Sequence, residues 1–472
     1  MLSFFRSYAP YQYISLIVLL GLIRLPFLLN PLPMLIPELN WMLVGEQMNQ
    51  GYMLYRDIWD SVSPLSAIIY RLIDTLFGRS QFIYHAAATV VSVFQIMYFN
   101  YVMNVNDIYP DRNFWPGLVY TLFLNLSFDC TTLSPVLIST TFLLLAFGTL
   151  VKQMVRQGAT DEVFEIGFYI SLAALSYLPS ALFILWAAIS LLLYTGATFR
   201  QHSLSLFGFF FPFLLLLLYY YLNNGLDDLN RNLIASVFRV RQYGLSDFRT
   251  LFASLFIPLS LSVLGFLSLF QARGRYVNFQ QRCQQIMMLW FLTNVLTIVL
   301  MPYLAPMQFL SFIPAMAFFT VHYFTNARKH WLAELTFTGF FLVMLVIFYQ
   351  GAFQLLPGLN FGTLSNLQVK PSELPDNIQN RKILVIGDDL SAYRYNRPAT
   401  PYLNWGLAKY DLRNLDNYDA VIDVYDHFRR DPPEYIIDQQ NIIDKLFQRA
   451  PALAEQYQKT GNTGVYRRVD SR

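Results

Sequence analysis

The chain has 472 residues, of which 55% are hydrophobic and only 13% charged, with a formal net charge of +3. Soluble globular chains carry about 25% charged residues, so this composition excludes an ordinary soluble domain and, with apolar runs of roughly 17–22 residues, describes a polytopic membrane protein. No basic stripe marks a nucleic-acid surface, and Cys130 and Cys283 stand in no metal-ligand pattern.

The first predicted span covers residues 12–29. No small-residue cleavage site follows its apolar run, so it reads as a retained span and not a removed signal peptide. The next stretch, 38–65, interleaves Glu38, Glu46, Asp57 and Asp60 with Trp41, Tyr52, Tyr55 and Trp59. Pro31, Pro33 and Pro37 take the chain out of the span in a stiff, non-helical path. A helix is predicted from about Glu38 to Gln50, with Trp41, Met42 and Gly45 on one face, and Gly51 ends it. Ser61 or Ser63 can cap the following apolar helix, and Pro64 suits its first turn. Residues 65–78 are short and contain Arg71 and Asp74, which predicts a re-entrant or interfacial helix.

Ten more spans are predicted, at 82–103, 114–129, 134–152, 163–179, 180–197, 204–222, 251–270, 285–303, 305–324 and 331–350. With a cytoplasmic N-terminus carrying Arg6, every cytoplasmic loop holds a basic residue: Arg112, Lys152, Arg156, Arg200, Arg273, Arg275, Arg282, Arg328 and Lys329. Eleven spans then place loop 30–81, loop 223–250 and the C-terminal region outside. The two cysteines fall at opposite membrane faces and cannot pair.

Loop 223–250 is basic although it lies outside, with Arg231, Arg239, Arg241 and Arg249 against Asp227, Asp228 and Asp247. Its middle can form an amphipathic helix on the membrane. The arginines read either as snorkelling anchors or as a clamp for a lipid-linked phosphate, whose oxygens match the guanidinium fork.

Residues 1–355 hold 18 of the 33 Lys and Arg and 15 of the 30 Asp and Glu. The shift to a denser charge beyond them marks a soluble outer domain at 356–472 on a membrane domain at 1–355. Lys382–Gly387 reads as a buried strand and a Gly turn, followed by Asp388 and Asp389. Residues 420–425 read as a second strand or a helix-to-strand segment, 433–438 as a third strand, 442–447 as a helix, and 464–467 as a closing strand. One Gly is a weak nucleotide-binding signal without the full glycine pattern. Residues 393–405, aromatic, basic and Pro-rich, read either as a packed loop or as an acceptor-binding lip.

Several of these features resemble the GT-C superfamily of integral-membrane glycosyltransferases, of the protein O-mannosyltransferase and aminoarabinose-transferase type. In that family an acidic pair and an aromatic follow the first span, then a Gly-x-x-x-Tyr-x-Asp stretch and a Pro-Leu helix start. Here the positions read Pro37-Glu38-Leu39-Asn40-Trp41, Gly51-Tyr52-Met53-Leu54-Tyr55-Arg56-Asp57 and Pro64-Leu65. The resemblance implies a polytopic α-helical membrane protein with a small α/β outer C-terminal domain. It implies Glu38 as the base that deprotonates or orients an acceptor hydroxyl, and Asp129 in the second outer loop as an assisting acid. Asp129 also reads as a solvated or helix-capping carboxylate. Asp57 and Asp60 would position acceptor or cation, although Asp60 equally favours a helix N-terminus. Arg56, Arg239, Arg241 and Arg249 would hold the donor phosphate, although Arg56 can instead pair with Asp57 or Asp60. A divalent cation, Mg or Mn, shared by Glu38 and Asp129 is optional in such a site.

The expected function is transfer of a sugar from a polyprenyl-phosphate donor to a lipid, glycan or protein acceptor at the outer face of a membrane. A bacterial inner membrane is expected, with a periplasmic C-terminal domain. The expected partners are membrane lipid, the donor and an envelope protein, with no nucleic acid. A second expectation is a non-catalytic GT-C-like subunit for envelope assembly or protein export. Pro37, at the usual first acid, and residues 307–314, which lack a basic side chain, both favour it.

Overall fold

A computed structural model describes residues 1–30, 32–155, 160–239, 248–271, 273–327, 329–356, 358, 361–371, 378–399, 401–460 and 464–469. In chain order the helices begin with α1 (Tyr11–Leu29), α2 (Ile36–Asn49), α3 (Pro64–Phe77), α4 (Gln81–Val105) and α5 (Trp115–Phe123). There follow α6 (Pro135–Val155), α7 (Thr160–Ser176), α8 (Phe183–Ser190), α9 (Phe199–Leu222), α10 (Leu226–Leu229) and α11 (Ala235–Arg239). The last long helices are α12 (Phe248–Gln271), α13 (Asn278–Thr297), α14 (Ile313–Asn326) and α15 (His330–Phe353).

Among the described residues, eight helical stretches are long and apolar enough to cross a membrane: 81–105, 135–155, 178–195, 199–222, 248–271, 278–300, 306–326 and 330–353. The three other predicted spans are shorter as apolar helices. Tyr11–Phe27 is the apolar part of α1, α5 has nine residues and α7 has 17. Pro116 opens α5, and a 3-10 turn at Phe128–Thr131 replaces the expected continuation to residue 129.

The described chain divides into two compact units. The membrane unit comprises 1–33, 82–218 and 243–366, and the loop unit 34–81, 219–242 and 367–472.

In the membrane unit, helices meet over small residues. A Cβ at Gly265 of α12 would strike the Phe319 carbonyl of α14, the close approach that membrane helix pairs use to gain van der Waals contact. An aromatic cluster fills the interior, with Trp290 set edge-on to Phe183 at 4.8 Å and to Trp186 at 5.3 Å.

In the loop unit, α2 and α3 pack as a pair. Helix α2 is buried all round from Ile36 to Gly45, not only on the predicted Trp41, Met42 and Gly45 face, and a Cβ at Gly45 would lie 2.7 Å from the Tyr70 carbonyl. Trp41 and Tyr70 stack at 5.9 Å. Gly51, at φ 98°, ends the helix as expected. Segment 65–78 therefore forms one helix of a packed pair, with an apolar stripe inward and Arg71, Leu72 and Phe77 outward.

The tail of this unit carries a five-stranded sheet, β1 (Lys382–Ile386), β2 (Arg397–Pro398), β3 (Tyr435–Asp438), β4 (Tyr457–Lys459) and β5 (Val465–Arg468), in the order β2-β1-β3-β5-β4. Strand β1 is parallel to β2 and β3, and β5 is antiparallel to β3 and β4. Residues 420–425 are not a strand. They lie in helix Tyr418–Arg430, where Ala420, Val424 and Phe428 recur every four residues and are buried. The apolar run was too short to show this period, and the charges at Asp419, Asp423 and Asp426 fill the opposite face.

Four of the eight long apolar helices lie in sequence between the first and second segments of the loop unit, and four between the second and third.

Candidate functional site

Glu38 stands in the first turn of α2, one residue after Pro37, and is 1% exposed. Its Oε2 accepts a 3.0 Å hydrogen bond from Gln81 Nε2. The chain just before it is held by the tail of the same unit: Val369 N donates to Met34 O, and Leu35 bridges Gln368. The proline-stiffened exit and this bridge fix the start of α2 and so fix where the carboxylate projects.

Asp60 is fully buried in the loop unit. It accepts hydrogen bonds from Asn40 Nδ2 at 2.8 Å, Val62 N at 2.8 Å and Asn404 Nδ2 at 3.5 Å. Burial pushes its carboxyl above the usual carboxylate range, and the amide donors oppose the shift. This geometry makes Asp60 a tie between α2, the loop and the C-terminal region.

Asp57 pairs with Arg56, Nη2 to Oδ2 at 2.9 Å, and also accepts from Met53 N. Arg56 reaches the Asn223 carbonyl as well. Of its two expected roles, pairing with Asp57 is the one the geometry displays. Arg249 is exposed at the start of α12. Arg241 lies outside the described residues, as does the side chain of Arg239.

Sequence reasoning missed the role of Arg231. Its guanidinium lies 4.4 Å above the Trp59 ring and bonds Asp411 at 2.6 Å. Trp59 in turn packs edge-on against Tyr402 at 5.1 Å and His427 at 5.5 Å. The signal was present in the acidic and aromatic residues of 38–65 and in the arginines of 223–250, but nothing in the sequence pairs them. The described residues of segment 393–405 are packed: Pro398 O accepts from Gln47, Pro401 O from Trp59 N, and the Tyr393 carbonyl from Arg79.

In the membrane unit, Asp129 lies in the 3-10 turn between α5 and α6 and is 1% exposed. Met307 N donates to its Oδ2 at 2.9 Å, and Cys130 Sγ lies 3.8 Å from Oδ1. Burial raises its carboxyl to about 6, against the bonds from Met307, Ser127 and Cys130. Asp129 is therefore a bonded, buried acid and not a solvated one. Beside it, Thr131 Oγ1 bonds His85 Nδ1 at 3.1 Å and the Phe128 carbonyl.

Arg24 was also missed. It lies on α1, is 4% exposed, and bonds Asn125, Thr89 and Ser92. A charge inside the first predicted span was the available signal.

Among the described residues, no three His, Cys, Asp or Glu side chains gather as a metal cage would require. Both carboxylate oxygens of Asp129 already meet protein donors.

Among the described residues the fold is a mostly helical body, with eight helices long and apolar enough to cross a membrane, and a small mixed sheet of five strands. One solved structure shares this fold. The crystal structure of the Archaeoglobus fulgidus oligosaccharyltransferase, tethered with an acceptor peptide containing the NVT sequon, matches with a TM-score of 0.50 and 10% identity, over 98% of this chain and 74% of that one. A structure of the oligosaccharyltransferase AglB from the same archaeon, in complex with an inhibitory peptide and a dolichol-phosphate, matches with a TM-score of 0.48 and 11% identity over the same shares. No protein-family model and no curated relative matches the sequence.

Proposed function

We propose that the protein is a GT-C glycosyltransferase that moves a sugar from a polyprenyl-phosphate carrier to an acceptor on the outer side of a membrane. The observation that carries this reading is the buried carboxylate Glu38, at the head of α2 immediately after the first span, in a chain whose GT-C fold extends over 98% of its length. Glu38 takes a proton from the acceptor, whose freed electron pair attacks the anomeric carbon. The bond from that carbon to the carrier phosphate breaks, and the phosphate leaves with its electron pair. Asp129 assists as a second, ionised carboxylate, and Asp57 and Arg56 contribute to placing acceptor and donor. Arg239, Arg241 and Arg249 supply positive charge for the phosphate. No step is routed through a cation.

A protein acceptor is the favoured class, because the matched archaeal structure carries a tethered acceptor peptide. In this reading the protein lies in a bacterial inner membrane with its N-terminus cytoplasmic, an orientation that the distribution of Lys and Arg supports. The second reading, a non-catalytic subunit, is favoured by Pro37 at the usual first acid and by the engagement of Asp129 with the Met307 amide.

The experiment is transfer from radiolabelled polyprenyl-phosphate sugars to membrane acceptors by purified wild type, Glu38→Gln and Asp129→Asn. Turnover lost in Glu38→Gln supports the enzyme. No wild-type turnover with any donor, together with stable co-purification of an envelope protein, supports the subunit instead.

A further inference from the structure

We infer that Arg24 is a positioning residue that braces the turn carrying Asp129. The inference rests on the role of Asp129 in the transfer reaction above. A guanidinium keeps its charge at any ordinary pH, and a charge inside a membrane body is costly unless its donors are satisfied. Arg24 is 4% exposed and forms no ion pair among the described residues. Its partners are neutral oxygens on two other segments. Nε donates to Asn125 Oδ1 at 3.1 Å, Nη1 to Thr89 Oγ1 at 3.0 Å, and Nη2 to Ser92 Oγ at 3.2 Å.

Each partner has its own protons committed elsewhere. Thr89 donates to the His85 carbonyl, Ser92 to the Ala88 carbonyl, and Asn125 Nδ2 to the Thr121 carbonyl. Their free lone pairs therefore face the guanidinium, so the shell is built for a cation. It joins α1 to α4 and to the turn after α5. Asn125 lies in that turn, four residues before Asp129. Between Asn125 and α6 the only helical bonding is the single 3-10 turn at Phe128–Thr131. The turn thus depends on side-chain ties, of which Arg24–Asn125 is one and Asp129–Met307 another. A lysine presents a point charge and cannot span the three oxygens that the planar fork reaches.

Cys130, fully buried next to Asp129, is a built-in reporter of the turn. The protein would be purified whole in nanodiscs in a Cys283→Ser background, and Cys130 alkylation by a maleimide followed alongside transfer kinetics. Arg24→Gln is expected to raise the alkylation rate about tenfold as the turn opens locally, and to lower kcat about tenfold with the donor KM within about twofold. Arg24→Lys should not rescue either value. Asn125→Ala and Thr89→Val, which each remove one acceptor, should move both values the same way, and they carry the test if Arg24→Gln fails to fold. Leu22→Ala, on the exposed face of the same helix, should move neither. Wild-type alkylation in folded Arg24→Gln overturns the inference, as does a rise in donor KM with kcat and alkylation unchanged, which would make Arg24 a phosphate ligand. If the wild type transfers no sugar, the enzyme reading fails, and alkylation alone still decides whether Arg24 braces the turn.

Discussion

Replacing Asp129 by Asn should stabilise the protein while removing its transfer activity. Burial raises the Asp129 carboxyl from 3.8 to about 6, and that difference corresponds to ~3 kcal/mol of cost for holding the group ionised in the fold. The sign follows from linkage. The folded state holds its proton more tightly than the unfolded chain, so the stability from Asp129 is complete below pH ~4 and is lost as pH rises to ~6. Asn is neutral throughout and escapes this loss. It keeps an acceptor for Met307 N, but a neutral one, which forfeits ~1 kcal/mol. The net advantage of Asn at pH 8 is therefore ~2 kcal/mol, or roughly a few degrees in the unfolding midpoint. Intrinsic tryptophan fluorescence of detergent-purified wild type and Asp129→Asn, heated at a series of pH values from 4.5 to 8, measures it. The gap between the two midpoints should open as pH rises towards about 6 and then stay constant. A gap that is the same at both ends of the range, or an Asn variant that melts lower at pH 8, would refute the assignment of Asp129 as a buried acid strained by desolvation.

Other outcomes follow from the same geometry. Transfer by the wild type should rise with pH through about 6 as Asp129 ionises, and a flat profile across that range would remove it from the reaction. Glu38→Gln should lower kcat by about 10²–10⁴-fold with the fold intact, as loss of a general base does. Arg231→Ala breaks both the stacking on Trp59 and the Asp411 pair; a loss of roughly 1–2 kcal/mol is expected, read as faster proteolysis within 219–242 and the C-terminal region. Gly45→Val drives a side chain into the Tyr70 carbonyl and should cost at least ~2 kcal/mol by overpacking, seen as a fall in the yield of folded protein; unchanged yield and melting would show that α2 and α3 are less tightly apposed.

The stretch 38–65 illustrates how far local rules reach. Gly51 ends α2 because a positive φ suits only a residue without Cβ, and Pro64 opens α3 because the first turn needs no N–H from it. Those features depend on a few neighbouring residues and were legible. Asp60 was not, because its donors Asn40 and Asn404 lie 20 and 344 residues away. Residues 420–425 misled for a related reason: six residues cannot separate a two-residue period from a four-residue one, and the helix was decided by Phe428 packing beyond the window. Arg24 stood in plain view as a charge in an apolar run, yet its partners Thr89, Ser92 and Asn125 are known only when three segments meet.

By itself the sequence determined the membrane class, the positions of the long apolar helices, and the placing of a carboxylate right after the first span. Those follow from composition, run length and turn chemistry, which act over one to twenty residues. Only the tertiary structure decided that the first loop, residues 219–242 and the C-terminal region fold as one unit, and that Asp60, Asp57 and Asp129 are bonded and not free in solvent. Long-range burial is the reason. Desolvation and cross-segment hydrogen bonds depend on which surfaces meet, and a linear pattern of acids and aromatics does not contain that information.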